Sequence, residues 1–530
     1  MNLLNKAIFT LLLSSIFLHV NAQHSEAAQK LQTFYRYLEL AYVDEVNEDQ
    51  LVEDAIEAML SDLDPHSTYF SAEELERANE PLQGNFEGIG IQFNIHKDTI
   101  VVVSPISGGP SEKLGIRSGD KIIAINDSVV AGVGFTNQDV ADNLRGPKGS
   151  KVNVSIKRNG VKNLLDFEIT RDKIPIYSVD AHYMVKDGIG YIKLNRFAAT
   201  SMGEIYAAMD TLQNNGMTSL ILDLRGNGGG YLNTATELAD MFLTKDQMIV
   251  YTEGRAYPRS EMIAKKGGRF EKGKLVILVD EGSASASEIV SGAVQDWDRG
   301  LIIGRRTFGK GLVQKPFSLP DGSAIRLTVS RYYTPSGRCI QRPYDQGDDA
   351  YYEEFTRRYE HGEYTSKDSI DLPDSLKYLT LQSKRTVYGG GGIMPDIFVP
   401  LDTTQGSEYY TKLVRKGILN DFTLEYLDKN RSSIKGDYPT ISDFVAQYEV
   451  SENLLNELYT FAEEQKVEKD DEGITTSIDL ITGSLKGLIA RGLYQNGAYY
   501  QVINQTDEAM SKAIQAIEND TFKALKIDYK

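Results

Sequence analysis

The sequence predicts a multidomain α/β protein. An alternating strand–helix core follows a small, mostly β module, and helical regions lie at both ends. Three observations predict this. The chain has 530 residues, more than one hydrophobic core supports. Between 174 and 400, short apolar runs such as LVILV alternate with helical patterns. Between 83 and 171, strand-like runs punctuated by glycine turns replace the helical period.

The elements follow in chain order. Residues 1–6 carry one lysine, 7–20 are apolar, and Val20-Asn21-Ala22 supplies small residues at −3 and −1. This is the three-part pattern of a secretory signal cleaved after Ala22, so the mature chain is expected to be exported, secreted or periplasmic in the cell envelope. An uncleaved anchor is the alternative, but the run is short for a span of about 20 residues. Residues 23–82 read as a helical region. Leu31, Phe34, Leu38 and Ala41 share one face of a helix over 28–42, and Leu51, Ala55, Ala58 and Met59 share one over 50–63. Asp64-Pro65-His66 stops the second helix, and Ser71 with Glu73 and Glu74 opens another.

The β module, 83–172, has strands at 90–95, 99–103, 121–125, 151–157 and 165–170 and one helix at 137–144. The core, 173–400, reads strand 188–194, helix 200–214, strand 219–224, helix 231–243, strand 275–279, helix 286–297 and strand 301–303. A polar, tyrosine-rich insertion at 342–388 interrupts it. The tail, 401–530, is helical at 421–427, 441–448, 452–465, 478–494 and 505–525.

Composition narrows the chemistry. Hydrophobic residues make up 41%, and mean hydropathy is −0.33, which suits globular domains. The net charge of −18 repels phosphate backbones, so no nucleic-acid partner is expected. The one cysteine, Cys339, excludes an intramolecular disulfide and a cysteine-rich zinc site, and reads as a packed small residue. The six histidines form no HExxH pair, and none sits in a triad-like setting. No metal or cofactor is expected.

Three segments carry chemistry. GSASASE, 282–288, lies between a buried strand and a helix. A small-residue turn there exposes a side chain beside helix-end amides, which suits a nucleophilic serine with an oxyanion site. A plain capping turn is the alternative. TFGKGLVQ, 307–314, places Lys310 between glycines in a strand-like stretch, with Gln314 four residues on and on the same face. A lysine in a poor dielectric can act as a general base. A solvated lysine is the alternative. DLRGNGGG, 223–230, ends a strand with glycines that turn amides outward. It lacks the GxxxxGK[ST] pattern of a phosphate loop, so a second oxyanion donor is the better reading, with Asp223 and Arg225 holding the turn.

In the β module, FEGIGIQF, 86–93, is a glycine-hydrophobic-glycine loop opening an edge strand. Gly88, Ile89, Gly90 and Ile91 are placed to present amides to a peptide carboxylate and pair with the peptide, with Val140 and Leu144 as the facing wall. An ordinary β support domain is the alternative.

Together with GGIMPD, 391–396, these segments resemble the carboxyl-terminal processing, or tail-specific, serine proteases over roughly residues 30–400. The resemblance implies a PDZ domain at 83–172 inserted before a crotonase/ClpP-like protease core. Carried over by motif position, Ser285 is the nucleophile, Lys310 the base and Gln314 its assistant. The oxyanion donors are the amides of Ala286 and of Gly228 or Gly229, with Ser283 and Ser287 structural. Expected partners are protein or peptide substrates with accessible C-termini. A second copy meeting through the terminal helices and an adaptor protein are further candidates. The insertion and the tail depart from the shortest members without touching the dyad motifs, so they bear on substrate choice and assembly rather than the reaction. Two rivals remain: a non-catalytic PDZ adaptor for protein tails, and a crotonase-fold enzyme acting on acyl thioesters.

Overall fold

The computed structural model describes residues 25–265 and 267–529. The segment read as an export signal, 1–22, lies outside the described residues. The chain forms two compact units, Met1–Leu63 and Asp64–Lys530. Within residues 23–82, Thr68–Phe70 is a strand paired with Ala324–Tyr333 of the second unit.

The first unit contributes helices Glu26–Ala41 and Glu48–Ser61. Ser25 and Asn47 cap them by accepting the amides of Ala28 and Gln50. Tyr35 ties them together through a 2.8 Å bond to Glu48. Leu31, Phe34, Tyr37 and Leu40 stay exposed along the first helix.

The second unit is built on a six-stranded sheet. Its order is Val179–Lys186, Ile189–Leu194, Ser219–Asp223, Leu275–Val279, Leu301–Gly304 and Ile397–Phe398. The first pair is antiparallel and the rest are parallel. Both faces are buried, which explains the continuous apolar runs. Ile192, Leu220, Leu222, Ile277 and Ile302 point to one face, packed against helices Ser201–Asn214, Leu232–Asp240 and Ala286–Asp296. Their neighbours Tyr191, Ile221, Val276, Leu278 and Ile303 point to the other. That second face is covered by Met510, Ala513 and Ile517 of the helix Glu508–Glu518 and by Phe522, all from the tail.

A second, antiparallel sheet was not visible in the sequence. Ala324–Tyr333 pairs with Thr68–Phe70, Met248–Glu253 and Leu312–Ser318, and Ser260–Ile263 extends it. The β module orders its strands Ile91–His96, Thr99–Pro105, Lys121–Ile125, Lys151–Lys157 and Leu165–Thr170, with the helix Asn137–Leu144. In the tail, 421–427 is part of a longer helix, Ile418–Asp437. The expected helix 478–494 begins at Asp471, and 505–525 breaks into Glu508–Glu518 and Thr521–Ala524. Among the described residues no helix is long and apolar enough to cross a membrane.

Candidate active site

Parallel pairing of Ser219–Asp223 with Leu275–Val279 sets two turns side by side at the carboxyl ends of the strands, where open α/β sheets form clefts. Hydrogen bonds lace them together. Asp280 accepts the amide of Gly226 at 2.8 Å, and Ser283 Oγ donates to the Leu224 carbonyl at 2.9 Å. Ser287 Oγ donates to the Asn227 carbonyl at 2.8 Å. Ser283 and Ser287 thus have backbone partners across the gap, and Ser285 lies between them.

Ser285 has φ 54° and ψ −108°, a sparsely populated region for a residue with a side chain. The strain is contained by what surrounds it. A Cβ at Gly229 would fall 2.9 Å from Ser285 Cβ and 3.0 Å from the Ala286 nitrogen, so only glycine fits there. Helix Ala286–Asp296 begins at the next residue. Among the described residues the amides of Ala286 and Gly228 have no acceptor, whereas the Gly229 amide donates to Asn227 Oδ1 at 2.9 Å. Of the two glycines, Gly228 therefore has the free amide.

One carboxylate joins this turn to the lysine loop. Glu288, 0% exposed, accepts from the Ser285 amide (2.8 Å), the Thr307 hydroxyl (2.6 Å), and the Gly309 (2.7 Å) and Lys310 (2.9 Å) amides. Burial raises its pKa, and the four donors offset this only in part. The Phe308 amide also donates to the Ser283 carbonyl at 3.0 Å. From below, Ile393 of GGIMPD exchanges two bonds with Thr307.

Lys310 lies two residues before the strand Leu312–Ser318, and a register shift falls between Val313 and Gln314. The two side chains still meet: Lys310 Nζ donates to Gln314 Oε1 at 3.1 Å. Burial lowers the Lys310 pKa, Arg326 adds to this, and Asp64 and Glu288 oppose it. Among the bonds of the described residues, none joins Ser285 Oγ to Lys310 Nζ. Such contacts are often long before substrate arrives.

Asp223 and Arg225 stabilise the glycine turn. Burial alone would raise the Asp223 carboxyl, but Arg225 and Lys193 outweigh it and hold it well below the usual range. Arg225 also reaches Asp507 of the tail at 2.8 Å.

Two features were missed. His66 belongs to this site: its carbonyl accepts from Gln314 Nε2, and its ring nitrogen bonds Tyr351 at 2.8 Å. The only sequence signal was the helix-stopping Asp64-Pro65-His66. The insertion also reaches the site, correcting the expectation that it bears only on substrate choice and assembly. Its helix Asp348–Glu360 supplies Tyr351 and Phe355, which with Phe308 surround the Arg342 guanidinium at 3.7, 4.5 and 4.3 Å. Arg358 bonds the Arg306 and Thr307 carbonyls.

In the β module, Ile91 opens the edge strand as expected and is half-buried. Ile89, Val140 and Leu144, at 2%, 0% and 4% exposed, belong to the module's own core. Gly88 pairs with Arg145, next to that helix. Cys339 is half-buried, and burial raises its thiol pKa.

Residues 188–347 match peptidase family S41, 88–169 match the PDZ domain, and 16–74 match the N-terminal domain of the activating protease CtpB. Residues 409–495 match a family of unknown function. A carboxy-terminal-processing protease of Bartonella bacilliformis is 39% identical over 57% of this chain and 69% of its own. The carboxy-terminal processing protease CtpA of Bacillus subtilis is 38% identical over 59% of this chain and 66% of its own.

The chain belongs to the carboxy-terminal processing proteases.

It is a serine-type peptidase with a PDZ domain and an S41 core between helical ends. The matched stretches span about two thirds of these relatives' lengths. A solved photosystem II D1 C-terminal processing protease is 27% identical, covering 71% of this chain and 88% of its own, with a TM-score of 0.38.

Proposed function

We propose that this protease is an exported endopeptidase that captures substrate C-termini through its PDZ domain and cleaves peptide bonds with Ser285 and Lys310. The observation that carries the reading is Glu288: one buried carboxylate binds the backbone of both residues and sets their relative position. In the reaction, neutral Lys310 takes the proton of Ser285 as Oγ attacks the substrate carbonyl. The oxyanion is received by the amides of Ala286 and Gly228. Gln314 Oε1 holds a Lys310 N–H and so aims the nitrogen lone pair at Ser285. Collapse breaks the C–N bond, and Lys310 returns the proton to the leaving amine. Water then attacks the acyl-enzyme, with Lys310 again as base, and releases a carboxylate.

The domains are read as 1–22 signal, 23–82 helical lead, 83–172 PDZ, 173–400 core and 401–530 tail. N-terminal sequencing of the protein from a cell-envelope fraction should begin at Gln23. Ser285→Ala and Lys310→Ala should fold and fail to cleave an unfolded protein. Full activity in Lys310→Ala refutes the dyad. Retained tail binding by an inactive wild type favours the adaptor reading instead. The oligomeric proposal predicts a sedimenting dimer at micromolar concentration.

A further inference from the structure

One turn beside the lysine loop does more than connect two elements. Asp64, Pro65, His66 and Ser67 close onto the strand pair that carries Gln314, and the turn is bonded to more groups than a connecting loop needs. Asp64 Oδ1 accepts from the His66 amide (2.9 Å), the Ser67 amide (3.0 Å) and the Thr328 hydroxyl (3.0 Å). Asp64 Oδ2 accepts from Ser67 Oγ at 2.6 Å, and Ser67 Oγ accepts from the Thr328 amide at 3.0 Å. Thr328 is the register partner of Gln314, so the turn is anchored directly beside that glutamine.

From above, two tyrosines of the insertion hold the same turn. Tyr351 bonds the His66 ring at 2.8 Å and meets it edge-on, with centroids 5.3 Å apart. The Tyr352 hydroxyl donates to the Pro65 carbonyl at 2.9 Å. Phe308, two residues from Lys310, completes a three-ring cluster, with its centroid 6.3 Å from both the His66 and the Tyr351 rings.

The consequence is a choice between the two ends of an amide. A glutamine side chain can turn either its oxygen or its nitrogen toward a neighbour. The His66 carbonyl can only accept, so it takes Gln314 Nε2. That leaves Oε1 to face Lys310 Nζ, where it accepts at 3.1 Å. With the turn displaced, this constraint disappears and the glutamine is free to flip.

We propose that the Asp64–Ser67 turn, clamped by Tyr351 of the insertion, is a positioning element for Lys310: the His66 carbonyl fixes Gln314, and Gln314 aims the lysine. His66 and Tyr351 act as positioning residues through the glutamine and do not touch the reacting atoms. The proposal rests on the reading of Lys310 as the base. The charged and titratable groups facing Lys310 are Arg326, Asp64, Glu288 and His66.

The test is the pH profile of peptide hydrolysis by the full chain. Tyr351→Phe should lower kcat by about tenfold, the cost of one hydrogen bond, with KM within about twofold. Its acidic limb should move to higher pH, because a loosely held, better hydrated lysine keeps its proton longer. His66→Ala should lose more, about a hundredfold in kcat, and His66→Gln, which can still pair with Tyr351, should recover part of it. If Tyr351→Phe and His66→Ala keep the wild-type limb while Lys310→Ala is dead, the positioning proposal is overturned and the dyad stands. A loss of activity that follows only a lowered unfolding midpoint, with the limb in place, overturns it as well. An active Lys310→Ala overturns the dyad reading itself.

Discussion

The 342–388 insertion and the 401–530 tail both attach to the six-stranded core, by different chemistry and at different places. The insertion meets the lysine loop through rings and cations: Arg342 among Phe308, Tyr351 and Phe355, and Arg358 on the Arg306 and Thr307 carbonyls. The tail meets the face of the sheet that the core's own helices leave uncovered, with Met510, Ala513 and Phe522 against Ile221, Val276 and Leu278. Its Asp507 pairs with Arg225 of the glycine turn. Directional polar contacts near reacting groups set geometry, whereas non-directional apolar burial contributes stability. The insertion is therefore expected to control rate and the tail to control folding.

The largest effects are expected at the proposed dyad, which both additions leave in place. Ser285→Ala or Lys310→Ala should each reduce peptide hydrolysis by about 10⁴-fold or more, with an unchanged far-ultraviolet spectrum. Glu288→Gln places an amide N–H among four donors, so both its folding and its turnover should suffer; a turnover within twofold of wild type would separate the geometry of the serine and lysine loops from this carboxylate.

Next come the variants that divide the two additions. Phe522→Ala should cost about 3–5 kcal/mol of stability, read by chemical denaturation, with kcat of the folded fraction unchanged. Arg342→Met should do the reverse, lowering kcat more than the unfolding midpoint. Equal losses on both readouts from either variant would break the division.

A pH effect on stability follows from His66. Burial, and then Lys310, lower its pKa from 6.5 to about 4. The unfolded chain thus binds this proton first, and stability should fall as pH drops from 6.5 toward 4. His66→Gln should flatten that slope in denaturation measured across the interval.

The smallest effect concerns the PDZ domain, which leans on the tail. His96 contacts Asp421 at 3.3 Å and Glu425 at 3.0 Å, and Lys97 contacts Glu425 at 2.9 Å. The hydrogen bond to Asp421 is the main cause of the raised His96 pKa, against the opposing effect of burial. Its stabilisation is complete below the unfolded pKa of 6.5 and is lost as pH rises through the folded value. His96→Ala should cost less than about 1 kcal/mol, and salt should shrink the difference.

Local order along the chain was legible where chemistry is local. The glycine turn at 223–230, the serine turn at 282–288 and the pairing of Lys310 with Gln314 each depend on neighbouring residues, and strand periodicity placed them at element ends. The apolar runs at 188–194, 219–224 and 275–279 marked buried strands without showing what buries them. That cover comes from Glu508–Glu518, about 290 residues downstream of the Ser219–Asp223 strand, and no local period reports a contact at such a distance. The same holds at the site. His66 and Gln314 meet across 248 positions of sequence, and Glu288 gains its partners only when the lysine loop folds over it. Composition and spacing select residue types able to do the chemistry. Long-range packing selects which carboxylate, carbonyl and ring hold those residues in place, because hydrogen-bond and van der Waals energies depend on distances that the order of residues does not contain.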